Sequence, residues 1–462
     1  MGDPELLDEQ PAAAHVSPWS PEYRRLTIGI MMNVVTVAFG ALAVSAVMPL
    51  VSRDLGGQEL YGWVFSGFLL ANLVGIVLAG IDADRRGPAA PFAWGVALFA
   101  LGLVLAGFAP TMEWLIGARV VQGLGGGSLA SIGYVVIGRA YGDAARPKML
   151  ALLSTGWVIP GLIGPGLAGL VAETFGWRVV FLGLVPVPVI AAILALPPLR
   201  KLPGGSVPAD ARRKVGLSLA LAVGTGLLLS GLGQADIRIA AVFVVVGLAV
   251  GGPALALLMP AGTLRAAAGI PAAILTQLLL NLGFTGVEAF SPLALVEVSG
   301  KSVLFASIAL TLVSVTWTMG SWLQARFSAS KSRRLLITIG LLVTTLAPIG
   351  MVLVTSGEWP VWAAAVAWTI AGLGIGLAYS TNTLVVLESA SEGEEGAAAA
   401  GLQLANQIGS GLGAGIAGAI VAVGGARAAG LQGSLTVAFS VMAAVLLLAV
   451  VTAQRVPGRR GA

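Results

Sequence analysis

The stretch LTIGIMMNVVTVAFGALAVSAVMPLV, residues 26–51, carries no charged side chain, and its length decides the fold class. The hydrocarbon core of a bilayer requires about 20 apolar residues in a helix. Fourteen such segments follow one another along the 462-residue chain, in which 57% of residues are hydrophobic and 10% are charged. The sequence therefore predicts an all-α membrane protein whose loops are too short to hold a separate domain.

The positions of lysine and arginine predict how these spans cross the membrane, because cytoplasmic loops retain positive charge. With the N-terminus inside, 20 of the 26 Lys and Arg residues fall on cytoplasmic segments, 5 fall outside, and Arg119 alone lies within a span. Both termini are therefore expected to be cytoplasmic. The predicted spans are 26–51, 60–81, 89–109, 113–138, 148–172, 177–197, 215–233, 238–258, 268–296, 303–325, 334–355, 359–387, 396–422 and 432–453.

Composition excludes several classes of function. The chain has no Cys, and its one His is His15, so we expect no metal site, no cofactor and no imidazole proton relay in the membrane. The net charge of +5 is spread over short loops, which leaves no basic module for nucleic acid. An enzyme is the least expected class, because no nucleophile–base pair can be assembled, and no phosphate-binding loop supports direct use of ATP.

The sequence GIDADRRG, residues 80–87, separates the second and third spans. Gly80 allows two helices to approach closely, Asp84 and Arg85 provide an acid and a base that can lock helix ends, and Gly87 can turn the chain. These residues are equally compatible with an ordinary polar turn.

The fourth span contains RVVQGLGGG, residues 119–127. A guanidinium inside a span costs at least ~2.5 kcal/mol on insertion scales, so Arg119 should face protein or water. At helical spacing Arg119, Gln122 and Gly123 share one face, which would be polar and thin enough to line a cavity. The alternative is a structural arginine that is bonded to backbone carbonyls.

The fifth span contains PGLIGPGLAG, residues 160–169. Small residues at this spacing permit close helix packing in lipid, and the prolines bend the helix. We therefore expect Gly164, Pro165 and Gly169 to pack against a neighbouring helix.

Together these motifs resemble those of the major facilitator superfamily, in particular its 14-span drug:proton antiporter branch. Residues 80–87 are similar to the loop motif after the second span, 119–123 to the fourth-span motif, and 164–169 to the antiporter motif. The stretches at 177–181 and 407–413 also suit that branch. The resemblance implies a major facilitator fold, in which two six-helix bundles give alternating access, with two extra helices between them.

The chain departs from the family's pattern at a position that matters for ion coupling. The stretch 45–49 aligns with the end of the family's first-span pattern, and the acid that commonly precedes it would fall at Gly40. Pro88 and Ala89 also stand where the loop motif normally has basic residues. Proton coupling through the first span is therefore not expected.

A degenerate echo of the loop motif at 320–326 predicts how the chain is divided. Arg85 and Arg326 stand 241 positions apart, and the resemblance implies parallel half-repeats. This separation follows if two spans are inserted between the halves. The predicted segments are a cytoplasmic tail at 1–25, an N-terminal bundle at 26–199, a linker at 200–214, two inserted helices at 215–267, a C-terminal bundle at 268–454 and a cytoplasmic tail at 455–462.

Glu288 is the one acid that falls clearly within a span. Because loss of water disfavours the charged form of a carboxyl group, we expect Glu288 to load and release a proton near physiological pH. Arg119 should lie at a similar depth. We hypothesise that both face the cavity, where Arg119 favours the ionised acid until a proton or a cationic substrate replaces it. The alternatives are a vestibule position for Glu288 or a static salt bridge.

The resemblance implies that the first and fourth spans of each half line a central cavity. Polar and aromatic residues at span depth are therefore candidates for its wall, although each is more often a packing residue. Together they describe a mostly apolar cavity suited to lipophilic cargo. The candidates are Asn33, Gln122, Trp157, Gln277, Asn281, Phe284, Trp368 and Asn382.

The leading interpretation is a secondary transporter that exports lipophilic or amphipathic compounds, such as drugs, against the entry of protons. A lipid or glycolipid exporter is the first alternative, and a membrane sensor or assembly partner without turnover is the second. The expected partners are this substrate, protons and the bilayer, and the expected functional unit is a monomer. Arg-rich usage, with 21 Arg against 5 Lys, suggests the plasma membrane of a bacterium with a GC-rich genome.

Overall fold

A computed structural model describes residues 17–142, 145–205, 210–328, 330–389, 395–425 and 430–458 as a bundle of long helices. No β-strand occurs within these ranges. His15 and parts of the predicted tails and linker lie outside them. The α-helices are α1 (Arg24–Leu55), α2 (Tyr61–Arg86), α3 (Ala89–Gly107), α4 (Met112–Ala140), α5 (Arg146–Thr155), α6 (Val158–Phe175), α7 (Trp177–Leu184), α8 (Pro186–Leu199), α9 (Ala211–Leu232), α10 (Ile237–Leu258), α11 (Ile270–Leu293), α12 (Val303–Phe327), α13 (Arg333–Thr344), α14 (Leu346–Thr355), α15 (Val361–Glu388), α16 (Glu395–Gly425) and α17 (Gly430–Ala453).

Fourteen of the helical segments in the described ranges are long and apolar enough to cross a membrane, which confirms the predicted number of spans and the all-α class. Three predicted spans are interrupted where a proline removes a backbone donor. Pro160 cannot donate to Gly156, where α5 gives way to α6, Pro186 begins α8, and Pro348 lies just after the break between α13 and α14. A π-helical turn, Ala294–Val298, extends α11.

The helices pack as two groups with a pair between them. In the first group α4 packs on α2 and α3, while α1 packs on α6 and α8. In the second, α11 packs on α16 and α17, while α15 packs on α12 and α13. The intervening pair, α9 and α10, contacts the first group at α2 and the second at α16. The residue bounds predicted for the two bundles remain predictions.

Glycines bring helix backbones into contact inside each group. A β-carbon built at Gly127 of α4 would overlap the carbonyl oxygen of Asn72 in α2, and one built at Gly376 of α15 would overlap that of Trp317 in α12. Close approach of this kind is how helices gain van der Waals contact in lipid, where no hydrophobic force draws them together. The glycine-rich composition thus positions the helices that carry the polar side chains.

The two groups meet on the face opposite the one where α1 begins and α17 ends. Gly62 at the start of α2 lies against Gly418 of α16, and Ser66 donates a 3.0 Å hydrogen bond to the carbonyl oxygen of Gly411. An ion pair of 2.5 Å joins Arg53, at the end of α1, to Glu297. These contacts close the molecule on that face, which is the predicted outer side.

A crevice of about 660 Å³ opens between α10 and the ends of α16 and α17. Its walls are apolar except for Gln234 and Ser434. None of the predicted site residues lines it, so the candidate chemistry lies elsewhere.

Candidate functional site

Glu288 lies on α11, about ten residues before the end of the span, and its side chain is partly buried. Its neighbours Val287 and Ala289 are buried, at 0% and 1% exposed. Within the described residues its carboxyl group has no hydrogen-bond or ion-pair partner, whereas Asp84 and Glu297 are both paired with arginines. Glu288 is thus a carboxyl group inside a span that has no partner among the described residues.

Arg119 lies on α4 and is 2% exposed. Its Nε donates to the carbonyl oxygen of Val64 at 3.3 Å, and its Nη1 donates to Oε1 of Gln122 at 2.5 Å. The guanidinium carbon stands 4.1 Å from the centre of the Phe68 ring, a cation–π distance. Every one of these partners is neutral, and the described residues contain no ion pair between Arg119 and Glu288.

Helix α2 contacts both Arg119 and α11, the helix that carries Glu288. Tyr61, one turn before Val64, places its ring 4.9 Å from that of Phe290 on α11. Arg119 therefore bonds to the backbone of a helix that touches the helix of Glu288.

In the second group, hydrogen bonds between amide side chains link helices α11, α15 and α16. Gln277 and Asn281 both donate to Oδ1 of Asn406 at 2.9 Å. Asn382 donates to Oε1 of Gln277 at 2.9 Å, and Asn406 donates to the hydroxyl of Tyr379 at 2.9 Å. The structure thus brings three of the predicted residues together.

Sequence reasoning missed Asn406 and Tyr379. Asn406 stands immediately before the glycine-rich stretch 407–413, so an amide beside that motif was the available signal. Nothing in the sequence singles out Tyr379, because its role depends on α15 and α16 lying side by side.

Aromatic rings pack against this network. The ring of Phe284 meets those of Trp317 and Trp368 edge-on, with centroids 5.6 and 5.5 Å away. Trp368 is 1% exposed and donates to Ser291 at 3.0 Å, so it is packed rather than open in this conformation. Trp157, by contrast, lies at the junction of α5 and α6, is 49% exposed, and takes part in none of the ring contacts of the described residues.

In the first group, Asn33 bonds to a backbone carbonyl and Gln122 bonds to Arg119, rather than to other amide side chains. Asn33 is 2% exposed and donates to the carbonyl oxygen of Leu129 at 3.4 Å. Gln122 is 0% exposed and accepts from Arg119. Neither bonds to another amide, and each retains one buried polar atom without a partner in the described residues.

The loop motif at 80–87 is built around Asp84. Its carboxylate accepts from Arg139 of α4 at 2.6 Å, and its carbonyl oxygen accepts from the backbone N–H of Gly205 at 2.7 Å. Gly87 turns the chain at a φ of 85°, which favours glycine. Arg85 is exposed, so the base that pairs with Asp84 is Arg139, which sequence reasoning missed.

The stretch 164–169 packs α6 against the other helices. Gly164 faces the ring of Phe39 in α1, because a β-carbon at Gly164 would lie 3.7 Å from that ring, and Pro165 is buried. Gly169 lies against Ser307 of α12, so close that a β-carbon would overlap the serine oxygen. This motif therefore joins the first group of helices to α12 of the second group.

The chain is similar to known membrane transporters both in sequence and in fold. A model of the Major Facilitator Superfamily matches residues 28–414. A probable multidrug-efflux transporter of Mycobacterium tuberculosis is 28% identical over 438 residues, covering 87% of this chain and 89% of that protein. The methylenomycin A resistance protein of Bacillus subtilis is 26% identical over 406 residues, covering 86% of each.

Among solved structures, a D-xylose-proton symporter superposes with a TM-score of 0.68 at 13% identity, covering 95% of this chain and 98% of its own. A bacterial homologue of the human lysosomal transporter Spinster, in an inward-facing and unoccupied conformation, gives a TM-score of 0.64 at 17% identity, covering 94% and 98%. At these identities the likeness establishes the shared fold.

Proposed function

The chain belongs to the major facilitator superfamily, and on this basis we propose that it exports lipophilic or amphipathic compounds, such as drugs, in exchange for protons. It is a multi-pass membrane protein and not an enzyme. The proposal places it in the plasma membrane of a bacterium, with both termini in the cytoplasm, working as a monomer. Relatives named for multidrug efflux and antibiotic resistance support this class of cargo.

The observation that carries the proposal is the carboxyl group of Glu288 inside a span, which has no partner among the described residues. A carboxylate in an apolar setting is costly unless it binds a proton or a cation. A proton and a cationic substrate that compete for this one group displace each other, which is the requirement for exchange transport. Neutral, the side chain tolerates a closed and apolar surrounding, and so permits the change between inward and outward access.

Arg119 has a defined role in this cycle. When Glu288 releases its proton, we assign the guanidinium of Arg119, on α4, to stabilise the negative charge. In this structure Arg119 donates to Gln122 and to the backbone of Val64 instead. We assign these two hydrogen bonds of Arg119 to the state in which Glu288 carries a proton.

The substrate would be held by the aromatic rings around Phe284 and by the amides of Gln277, Asn281 and Asn382. Their lack of charge suits apolar compounds better than sugars or phosphates. Asn33, Gln122 and Trp157 would contribute from the first group of helices.

The test uses purified protein in vesicles that carry a pH gradient, with cationic, neutral and lipid-like substrates. We expect Glu288→Gln to reduce pH-driven efflux to the background of empty vesicles while neutral substrates still bind, because the amide cannot exchange a proton. Glu297→Gln on the same span is the matched control, since that acid is already paired with Arg53. Undiminished pH-driven efflux by the Glu288 variant would refute the coupling role.

The same vesicles separate the remaining interpretations. Flipping of labelled lipid without drug efflux would identify a lipid exporter. Absence of any substrate-dependent proton flux across the whole screen would favour a sensor or assembly partner.

A further inference from the structure

The apolar crevice of about 660 Å³ lies between two helix hairpins, α9–α10 and α16–α17. Each hairpin is closed by a glycine beside the crevice. A β-carbon at Gly231 of α9 would lie 2.9 Å from the backbone nitrogen of Val244 in α10, and one at Gly424 of α16 would overlap the hydroxyl oxygen of Ser434 in α17. The two helices of each hairpin are therefore in close contact, and the open space lies between the hairpins.

The back of the crevice is formed where the hairpins touch. Leu229 of α9 is 2% exposed and lies against Gly415 of α16, so close that a β-carbon there would overlap the leucine side chain. In the described residues α10 packs on α9 and makes no extensive contact with α16 or α17. The hairpins thus meet at Leu229, and α10 stands apart from α16 and α17 across the crevice.

The crevice extends from the ends of the helices into the membrane. Its walls include Ile237, the first residue of α10, and Val244, which lies about 10 Å further along the helix axis. A hydrocarbon core is about 30 Å thick, so this depth belongs to the half of the bilayer on the predicted outer side. Ile237 and Val437 are 78% and 53% exposed, which shows that the crevice is open to the surroundings of the bundle.

The walls of the crevice suit hydrocarbon and no other occupant. They contain no acidic or basic side chain, so a cationic compound finds no opposite charge there. The hydroxyl of Ser434 already donates to the carbonyl oxygen of Gly430 at 2.6 Å. Water does not fill an apolar space that lacks polar partners, and an empty space would leave the lining side chains without contact. The acyl chains of the bilayer are the hydrocarbon that surrounds a span at this depth.

Polar side chains occur at the mouth of the crevice. Gln234 follows the end of α9 and is exposed, and Arg238 follows Ile237 and is also exposed. Neither side chain has a hydrogen-bond or ion-pair partner in the part of the chain that the structure describes. Asp236 accepts from the backbone N–H of Arg238 at 2.8 Å, so its carboxylate is held at the start of α10. Arginine binds phosphate through charge-assisted hydrogen bonds, and a glutamine amide can donate to phosphate or ester oxygens.

We propose that the crevice is a binding site for one phospholipid of the outer leaflet. Its acyl chain lies against Ala241 of α10 and Ala419 of α16, and its phosphate bonds to Arg238 and Gln234. The lipid fills the gap that α10 leaves beside α16 and α17, and so joins the inserted pair of helices to the second group. This inference does not depend on the cargo, the direction or the coupling of transport.

Photo-crosslinking in vesicles tests the site directly. The probe is phosphatidylethanolamine with a diazirine on one acyl chain, mixed into vesicles of phosphatidylethanolamine and phosphatidylglycerol that contain the full-length protein. We expect several-fold more label on Ala241 and Ala419 than on Val242, which is 60% exposed on α10 and does not line the crevice. Equal labelling of the crevice and of Val242 would overturn the proposal, because it would describe ordinary contact with the bilayer.

Filling the crevice should exclude the lipid. Ala241 is exposed, so Ala241→Phe places a ring in the crevice without disturbing a packed core, and we expect it to reduce the label on Ala419 several-fold. Ala249→Phe is the matched control, because Ala249 is exposed on the same helix and does not line the crevice. Labelling of Ala419 that is unchanged by Ala241→Phe, or reduced equally by both variants, would reject the site.

A second probe tests the contact with phosphate. Diacylglycerol with the same diazirine chain has no phosphate, so we expect it to label the crevice several-fold less than the phospholipid probe. Arg238→Gln should remove this preference, whereas Lys301→Gln, at an exposed position before α12, should preserve it. Equal labelling by the two probes in the unsubstituted protein would refute the role of Arg238.

Competition distinguishes a lipid from a transported compound as the occupant. Tetraphenylphosphonium is a lipophilic cation, and we expect it to leave the labelling of Ala241 and Ala419 unchanged. Loss of the label as this cation is added would identify the crevice as a site for such compounds and would overturn the proposal. The labelling requires no pH gradient, so its outcome is separate from that of the efflux assay.

Discussion

The two groups of helices treat their buried polar side chains in opposite ways. In the second group, Gln277, Asn281, Asn382 and Asn406 bond to one another, and Glu288 has no partner among the described residues. In the described part of the first group, Arg119 bonds to neutral partners, and the amides do not bond to each other. The first group thus holds a buried positive charge among neutral partners, and the second group holds a carboxyl group without a partner among the described residues.

The largest difference between the two groups of helices is expected for Asn406→Leu in the second group. The substitution leaves Nε2 of Gln277 and the hydroxyl of Tyr379 without their partner, and each unsatisfied group costs about 1–3 kcal/mol. We therefore expect a loss of about 3 kcal/mol in the stability of the second group, measured by thermal unfolding in detergent.

Gln407→Leu on the same helix is the control for that loss. Oε1 of Gln407 has no partner in the described residues, so its removal should cost much less. If both variants lose the same stability, the network is not a cooperative unit and the contrast between the halves fails.

The second effect concerns how the positive charge is held. Phe68→Leu removes the ring beneath Arg119, where a desolvated cation–π contact contributes about 2 kcal/mol. We expect a destabilisation of that size by thermal unfolding. Phe65→Leu, whose ring packs on that of Tyr61, should lose less, and equal losses would mean that packing alone matters.

A smaller effect is expected at the loop motif. Asp84→Asn weakens the ion pair with Arg139. Both side chains are about one-third exposed, so the pair contributes about 1 kcal/mol. That free energy corresponds to roughly a fivefold change in a conformational equilibrium. Because the chain has no Cys, a single introduced cysteine can report access to each face by its labelling rate.

Asp82→Asn is the matched control for the loop motif. Asp82 pairs with Arg86 within α2 and accepts a 3.1 Å hydrogen bond from Trp94 of α3, but it does not bond to α4 in the described residues, so its loss should leave the labelling rate unchanged. Identical labelling of the Asp84 and Asp82 variants would exclude Asp84 from conformational control.

The smallest effect is expected where the halves touch on the predicted outer side. Arg53→Gln removes a pair in which the arginine is 52% exposed, so solvent screens it and the loss should be about 0.5 kcal/mol. The difference in melting temperature between the Arg53→Gln variant and the unsubstituted protein should decrease as salt is added. A large loss that is independent of salt would show that this contact, rather than the glycine packing, holds the outer face closed.

Much of the candidate site could be predicted because its residues are polar or charged, whereas most residues of a membrane span are apolar. Arg119, Glu288 and Asn382 are conspicuous in apolar helices, and their depth follows from helical rise. Their partners could not be predicted in the same way. Arg139 pairs with Asp84 and Asn406 bonds to Gln277 only because helices distant in the chain are adjacent in space.

The fourteen membrane-crossing helices follow from the amino-acid sequence alone, because the cost of exposing charge or backbone to hydrocarbon acts on each segment separately. The sequence also marked the proline-containing stretch 160–169 as a bend and Gly87 as a turn, which are local backbone effects. The packing of the helices adds that, within the described residues, Glu288 has no partner while Arg119 contacts Val64, Gln122 and the ring of Phe68. Those are properties of contacts between helices, and the free energy of each contact depends on residues that the chain brings together from far apart.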